Sequence, residues 1–261
     1  MFIVLVAYFL LLVPDATVVL DVNTTVGEST VLPCILMTTT PTDLKTLRFY
    51  WQDERNYVLY SFNEGKEMPE HVNKLYRGRI TAFPQDMIRG NISVKVKNLT
   101  LEDNQNVFQV FAAIFDTGST RRYSLEHRKI CHITFHVAVP YKSVSLAVNE
   151  ETMTAVCTTQ RGFPEPLVKW RLQHLSDNSQ YFLDPRDVNT TAVQDPKDQL
   201  YNFSSTIDIP GGRYRSVTCF IHNPTLNVTL ITTHILNKGE AERSLPGWAI
   251  GLLVATVVLL G

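Results

Sequence analysis

The order cysteine, tryptophan, cysteine along alternating strands constrains the fold of this chain more than any other feature. In the second half the three residues are Cys157, Trp170 and Cys219. Apolar and polar residues alternate around both cysteines, which places each cysteine on the inward face of a strand. A tryptophan close to such a pair is typical of two stacked sheets joined by a central disulfide. We therefore predict a two-sheet domain with a Cys157–Cys219 disulfide.

The first half repeats this pattern with one exception. Cys34 is followed by Trp51, and residues 92–96 alternate apolar with polar, as a half-buried strand requires. Where the second cysteine is expected, two residues after Phe108, the chain has Val110. The pattern predicts a variable-type immunoglobulin sandwich here and a constant-type one in the second half. The ordinary bridge between the sheets cannot form in the first domain.

Cys131 lies on the closing strand of the first domain, in phase with Ile133, Phe135 and Val137. This phase turns its thiol toward the core. Three states of Cys34 and Cys131 are open on the residues alone: a disulfide between them, two buried free thiols, or an intermolecular disulfide through one of them. The first state requires the two alpha carbons to come within about 7 Å of each other.

The length of the chain, 261 residues, suits two domains of about 100 residues each. We place a variable-type domain at 17–139 and a constant-type domain at 140–236. The predicted fold class is all-β, with two immunoglobulin-like sandwiches in tandem. Within the first sandwich, Arg79 and Asp103 are predicted to pair at the base of a sheet.

Both ends of the chain are apolar. Residues 2–13 are an apolar run followed by a small residue, which predicts a signal peptide at 1–16. A polar stalk at 237–246 precedes an uncharged segment at 247–261. This segment is either part of a membrane span or a lipid-anchor signal. Both alternatives place the two domains outside the cell, at the plasma membrane.

Asn-x-Ser/Thr sequons occur in both predicted domains and indicate a secreted glycoprotein. They lie at Asn23, Asn91, Asn98, Asn189, Asn202 and Asn227.

The sequence gives no sign of catalytic chemistry. It lacks a glycine-rich phosphate loop, the common zinc-protease and hydrolase motifs, and a close Cys/His pair. We therefore expect no catalytic residue, no metal and no cofactor. The formal net charge of −1 gives no electrostatic reason to expect nucleic acid as a partner.

Short motifs in both domains carry a resemblance to a known family. They are Tyr50-Trp51-Gln52, Arg77-Gly78-Arg79, and the segments 89–96, 98–105, 162–170 and 219–226. In this order they resemble the B-seven (B7) family of costimulatory ligands, which butyrophilin-like proteins join. The resemblance implies a membrane-anchored ligand that binds a costimulatory or inhibitory receptor on T cells and modulates T-cell activation. The alternative is a homophilic or heterophilic adhesion protein of the same fold, capable of self-association.

The family binds its receptors through the outer face of a sheet made by the third, fourth, eighth and ninth strands. Alternation turns Tyr50 and Gln52 outward on the third strand, and Gln109 and Phe111 outward on the eighth. Leu59 is a further candidate on the fourth strand. Exposed aromatic side chains favour a protein interface. The plainer alternative is that Tyr50 and Phe111 only cover the sheet.

Overall fold

The computed structural model describes residues 18–36, 41–114, 128–211 and 213–236. The predicted signal peptide, polar stalk and C-terminal apolar segment lie outside these ranges. The chain divides into two compact units, Met1–Pro140 and Tyr141–Gly261. Within the described ranges, none of the helices has the length and apolar character needed to cross a membrane.

The first unit is a sandwich of two sheets. Its strands are β1 Val18–Thr25, β2 Thr30–Leu32, β3 Leu47–Asp53, β4 Val58–Asn63, β5 Lys66–Glu67, β6 Ile80–Ala82, β7 Val94–Val96, β8 Val107–Ile114 and β9 Arg128–Ala138. The first front sheet has the order β1-β9-β8-β3-β4-β5, and the first back sheet has the order β2-β7-β6. β1 runs parallel to β9, and the other pairs are antiparallel. One α-helical turn, α1 Pro84–Met87, and two 3-10 turns, Pro69–His71 and Leu101–Asp103, connect the strands.

Trp51 forms the centre of the first core and is fully buried. Its indole N–H donates to the carbonyl oxygen of Ile92 at 2.9 Å, so β3 of the front sheet is tied to the chain leading into β7 of the back sheet. The alternation predicted for residues 92–96 is present, because Ile92, Val94 and Val96 all face this core. A buried indole with its donor satisfied contributes packing area without an unpaired polar group.

The disulfide of the first unit joins β9 to the chain after β2. Cys34 and Cys131 are bonded, with their alpha carbons 6.1 Å apart. Cys131 is the register partner of Val110 across β8 and β9, and Val110 is the partner of Trp51 across β8 and β3. The bridge is therefore displaced by one strand from the position beside the tryptophan. Of the three states open on the sequence, the structure contains the intramolecular disulfide.

The base of the first sandwich holds the predicted pair of Arg79 and Asp103. The guanidinium donates to the carboxylate at 2.6 Å, and only a small part of the Asp103 side chain is exposed. The same carboxylate accepts the backbone N–H of Thr100 at 2.9 Å and so caps the 3-10 turn Leu101–Asp103. One carboxylate thus fixes both the turn before β8 and the end of the chain leading into β6.

The second unit is a smaller sandwich. Its strands are β10 Val144–Asn149, β11 Thr154–Gly162, β12 Leu167–His174, β13 Gln180–Phe182, β14 Val188–Gln194, β15 Tyr201–Asp208, β16 Tyr214–Asn223 and β17 Val228–Ile235, with a 3-10 turn at Pro185–Asp187. The second front sheet has the order β13-β12-β16-β17, and the second back sheet has the order β10-β11-β15-β14. The prediction of two immunoglobulin-like sandwiches in an all-β chain is confirmed.

The core of the second unit has the ordinary bridge. Cys157 and Cys219 are bonded, with their alpha carbons 6.5 Å apart. Cys219 is the register partner of Trp170 across β16 and β12. The indole N–H of Trp170 donates to the hydroxyl oxygen of Ser205 at 2.9 Å. The tryptophan thus lies beside the disulfide and is tied to the opposite sheet.

Tyr141 packs closely at the start of the second unit. A Cβ atom at Gly162 would lie 2.4 Å from the Tyr141 ring, so only glycine fits at this position. The phenol donates to the carbonyl oxygen of Pro164 at 2.8 Å. Burial raises the pKa of Tyr141 above its usual value, and Glu165 and Tyr201 add to the shift.

Candidate protein-binding face

The candidate face is the outer side of the first front sheet, centred on β3 and β8. Tyr50 is the register partner of Phe111, and Gln52 is the partner of Gln109. All four side chains are partly exposed. The rings of Tyr50 and Phe111 stack with their centroids 5.3 Å apart and their planes 19° from parallel. The structure therefore brings four of the five predicted contact residues together on one surface.

Strand alternation explains why these four side chains point outward. Their neighbours along the strands, Phe49, Trp51, Phe108 and Val110, belong to the core and are buried. Successive side chains in a strand point to opposite faces, so burying one set exposes the other. The residue that breaks the cysteine pattern, Val110, and the aromatic residue of the candidate face, Phe111, are adjacent in sequence and on opposite sides of the sheet.

Leu59 was expected on this face, and that expectation is wrong. The register between β3 and β4 shifts, because Trp51 pairs with Tyr60 whereas Gln52 pairs with Val58. Leu59 is the extra residue of this β-bulge, and its side chain is 0% exposed in the core. The bulge reverses the alternation before it, so Val58 takes the outward position opposite Gln52. A single inserted residue therefore exchanges the two faces of the strand.

Sequence reasoning missed the outward residues of the neighbouring strands. Ser61 is the partner of Tyr50 on β4, and His132 is the partner of Gln109 on β9, with Thr134 on the same side. Each is partly exposed. Their positions follow from the register of β4 and β9 against the central strands, which local alternation alone does not determine. They surround the Tyr50–Phe111 stack with polar groups.

A buried carboxylate fixes the turn between β3 and β4 at one end of the face. The carboxylate of Asp53 is buried and accepts the phenol of Tyr76 at 2.9 Å, the backbone N–H of Tyr57 at 2.8 Å and the guanidinium of Arg55 at 3.0 Å. Burial, strengthened by the hydrogen bond to Asp53, raises the pKa of Tyr76. This network holds the β3–β4 hairpin in one conformation and thereby preorganises the outward side chains.

A second buried phenol supports β4 from behind. Tyr60 points into the core, and its hydroxyl donates to the carboxylate of Glu67 on β5 at 2.9 Å. Burial raises the pKa of Tyr60, with a further contribution from Glu67.

In the described ranges no group of three or more His, Cys, Asp and Glu side chains could hold a metal ion. The candidate face itself presents the stacked rings of Tyr50 and Phe111 and the amides of Gln52 and Gln109.

The predicted glycan acceptors are mostly exposed. Asn23, Asn98, Asn189, Asn202 and Asn227 are exposed, and Asn91 is partly buried. The side-chain oxygen of Asn91 accepts the backbone N–H of Ser93 at 3.1 Å. Asn23 lies on β1, at the outer edge of the first front sheet, and pairs with His136 of β9. The centre of the candidate face itself contains no sequon.

Comparison with known proteins finds sequence similarity in both units. A family model described as a CD80-like C2-set immunoglobulin domain matches residues 139–229. The ICOS ligand of Homo sapiens is 27% identical over 225 residues, which cover 85% of this chain and 72% of that protein. The T-lymphocyte activation antigen CD80 of Oryctolagus cuniculus is 28% identical over 226 residues, covering 84% of this chain and 69% of that protein.

A solved structure supports the same relation. A chain from the crystal structure of ICOS in complex with ICOS-L and an anti-ICOS-L VNAR domain aligns with a TM-score of 0.58 at 26% identity. The alignment covers 84% of this chain and 100% of that chain. An alignment of this extent includes parts of both sandwiches. This chain is therefore similar over both units to ligands such as the ICOS ligand and CD80, and both of its units have the immunoglobulin fold.

Proposed function

We propose that this chain is a cell-surface ligand whose first domain binds a costimulatory or inhibitory receptor on T cells and so modulates T-cell activation. The observation that carries the proposal is the stacked pair of Tyr50 and Phe111 on the outer face of the first front sheet. The relatives support it, because they include an ICOS ligand and a T-lymphocyte activation antigen. Both sandwiches lie on the extracellular side of the plasma membrane.

The chemistry of the face suits protein recognition. Aromatic side chains supply large contact area at a small cost in conformational entropy, and they dominate the energetics of protein interfaces. The stack restrains both rings before the partner arrives, and the amides of Gln52 and Gln109 lie beside it as hydrogen-bonding groups. The polar neighbours Ser61 and His132 can form the rim that excludes water. The chain acts as a binding protein without catalytic residues or a cofactor.

The proposal is tested with the secreted ectodomain and T cells that display costimulatory receptors, with purified ICOS as one defined receptor. Tyr50→Ala and Phe111→Ala should each weaken binding by about 1–3 kcal/mol, roughly 5- to 150-fold in affinity. Val31→Ala is the matched control, because Val31 is an exposed apolar residue on a strand of the first back sheet. Unchanged affinity in both test variants refutes the assignment of the face.

The alternative of an adhesion protein predicts a different result. An ectodomain that associates with itself, and that binds no T cell, would act by homophilic contact rather than through a receptor. Sedimentation of the purified ectodomain at increasing concentration separates the two functions. The ligand proposal expects receptor binding at concentrations where the ectodomain remains monomeric.

A further inference from the structure

The outer face of the second front sheet is apolar at several exposed positions. Phe182, Ile231 and Leu167 are 54%, 58% and 57% exposed, and they lie on three different strands. Phe220 lies between them, with its ring centroid 6.3 Å from that of Phe182. Register confirms the common side, because Phe220 pairs with Ile231 and Arg171 pairs with Phe182. Large side chains exposed together on one face mark an interaction site.

Two cations belong to the same face. Lys169 is the register partner of Phe220 across β12 and β16. The guanidinium of Arg171 lies over the Phe220 ring at 5.0 Å and donates to the side-chain oxygen of Gln180 at 3.3 Å. Within the described part of the chain, neither cation has a carboxylate partner. None of the outward positions on β13, β12, β16 and β17 is Asp or Glu.

The opposite sheet of the same unit has another character. Asn189 and Asn202 both point outward from the second back sheet, as the partners of Thr206 and Val193. The residues that complete these sequons, Thr191 and Ser204, pair with each other on the same side. A glycan attached at either asparagine would cover that sheet. The remaining sequon, at Asn227, lies in the turn between β16 and β17 and leaves the centre of the front sheet open.

We propose that the outer face of the second front sheet, formed by Leu167, Lys169, Arg171, Phe182, Phe220 and Ile231, is a second protein-docking surface, and that its partner presents an apolar patch flanked by carboxylates. Opposite charges steer and align a complex, whereas like charges oppose it. A second copy of this chain would bring Lys169 and Arg171 to a face that has no carboxylate to receive them. The partner is therefore a different protein.

The test uses the full chain, purified and captured on fluorescent beads, with Tyr50→Ala and Phe111→Ala present to disable the first face. Bead binding is measured on T cells and on the cells that display the chain. We expect binding that Ile231→Ser and Lys169→Glu each lower about tenfold or more. The matched controls are Val193→Ser, at the same 58% exposure on the back sheet, and Lys197→Glu in an exposed turn. Both controls should bind as the parent does.

Each competing occupant gives its own result. Protease treatment of the cells should abolish binding, and heparinase should not. Loss of binding after heparinase overturns the proposal in favour of an anionic polysaccharide. Capture of the beads by vesicles containing about 30% phosphatidylserine overturns it in favour of a membrane. Self-association of the purified chain that Ile231→Ser dissolves overturns it in favour of a second copy.

Two further outcomes also overturn the proposal: absence of binding to both kinds of cell, and binding that Phe182→Ser and Ile231→Ser leave unchanged. Because these residues are more than half exposed, their replacement should leave the thermal unfolding of the second unit unchanged, which separates lost docking from lost folding. The first face is disabled throughout, so failure here is independent of failure of receptor binding by Tyr50 and Phe111.

Discussion

The two sandwiches of this chain place the same tryptophan-centred core around bridges in different positions. In the second unit Trp170 pairs with Cys219, whose disulfide lies beside it. In the first unit Trp51 pairs with Val110, and the disulfide reaches Cys131 one strand further along the sheet. Both indoles still donate across the core, each at 2.9 Å. The disulfide can therefore lie one strand away while the core keeps a central tryptophan that donates a hydrogen bond across it.

The difference matters for function because it leaves β8 undisturbed. Replacing a cysteine with Val110 keeps an apolar side chain inward at that position. The alternation on β8 is preserved, so Gln109 and Phe111 remain outward. The displaced bridge therefore leaves the outward side chains of the candidate face in place. It joins the chain after β2 to β9, the strand that carries His132 and Thr134 on its outer side.

Removal of each bridge is the strongest way to break the comparison. The bridged residues are 97 apart in the first unit and 62 apart in the second. Loops of such length correspond to a loss of about 4–5 kcal/mol in the free energy of unfolding when the bridge is removed. Cys34→Ala with Cys131→Ala, and Cys157→Ala with Cys219→Ala, should each destabilise their own unit by that amount in denaturant titrations. Hydrogen exchange identifies the unit that opens. A loss below about 1 kcal/mol in the first unit would show that the displaced bridge does not stabilise its unit as the ordinary bridge stabilises the second.

Truncation of Leu59 tests the β-bulge between β3 and β4, a feature that the β12–β13 pairing of the second front sheet does not have. The pairing of β12 with β13 has no register shift and places Phe182 opposite Arg171, whereas the shift between β3 and β4 turns Leu59 inward. Leu59→Ala should cost about 3 kcal/mol of stability, because a fully buried leucine leaves a cavity. Val58→Ala, at the partly exposed neighbour, should cost less than about 1 kcal/mol. Equal costs in thermal unfolding would contradict the bulge.

Two arginine–carboxylate pairs contrast a buried contact with an exposed one. Arg79 holds the carboxylate of Asp103, which is 5% exposed, while Arg161 contacts Asp198 at the surface of the second unit. Arg79→Ala should destabilise the first unit by about 2–3 kcal/mol, because a buried carboxylate loses its partner. Arg161→Ala should cost about 0.5 kcal/mol or less. Chemical denaturation of both variants measures the difference, and a cost for Arg161→Ala as large as that for Arg79→Ala would contradict it.

Alkaline titration compares the buried phenols of the two units. The pKa values of Tyr60 and Tyr76 in the first unit, and of Tyr141 in the second, are raised by burial above the ordinary value of 10.0. Below pH 10 these phenols make their full contribution to the free energy of unfolding, because tyrosine is neutral in the unfolded chain too. Above pH 10 the unfolded phenol ionises first, so stability falls by about 1.4 kcal/mol per pH unit for each group.

The first unit should therefore lose stability with a slope about twice that of the second, as two phenols contribute rather than one. Unit-resolved unfolding between about pH 10 and 11.5 measures both slopes. Tyr76→Phe removes one titrating group and should bring the first slope down to that of the second. Parallel slopes in the unaltered chain would contradict the assignment of these groups.

Local alternation accounts for what the sequence predicted correctly. The inward set Ile92, Val94 and Val96 follows from period-two patterning. The outward positions of Tyr50 and Phe111 follow from the same rule, because β3 and β8, the strands that carry them, pair with each other without a register shift.

Pairing between strands accounts for what the sequence could not supply. Leu59 was misplaced because the bulge depends on the register of β4 against β3. The choice among three states of Cys34 and Cys131 depends on an alpha-carbon separation that the pairing of β8 with β9 determines. Ser61 and His132 were missed for the same reason.

The central claim is that two adjacent residues of β8 have separate roles, Val110 inside for the fold and Phe111 outside for the partner. The measurement that tests it most directly is the affinity of the Val110→Ala and Phe111→Ala ectodomains for T cells that display costimulatory receptors. We predict that Phe111→Ala binds about 5- to 150-fold more weakly with unchanged unfolding, and that folded Val110→Ala binds normally although it is less stable. Normal binding by Phe111→Ala, or weakened binding by folded Val110→Ala, would contradict the account.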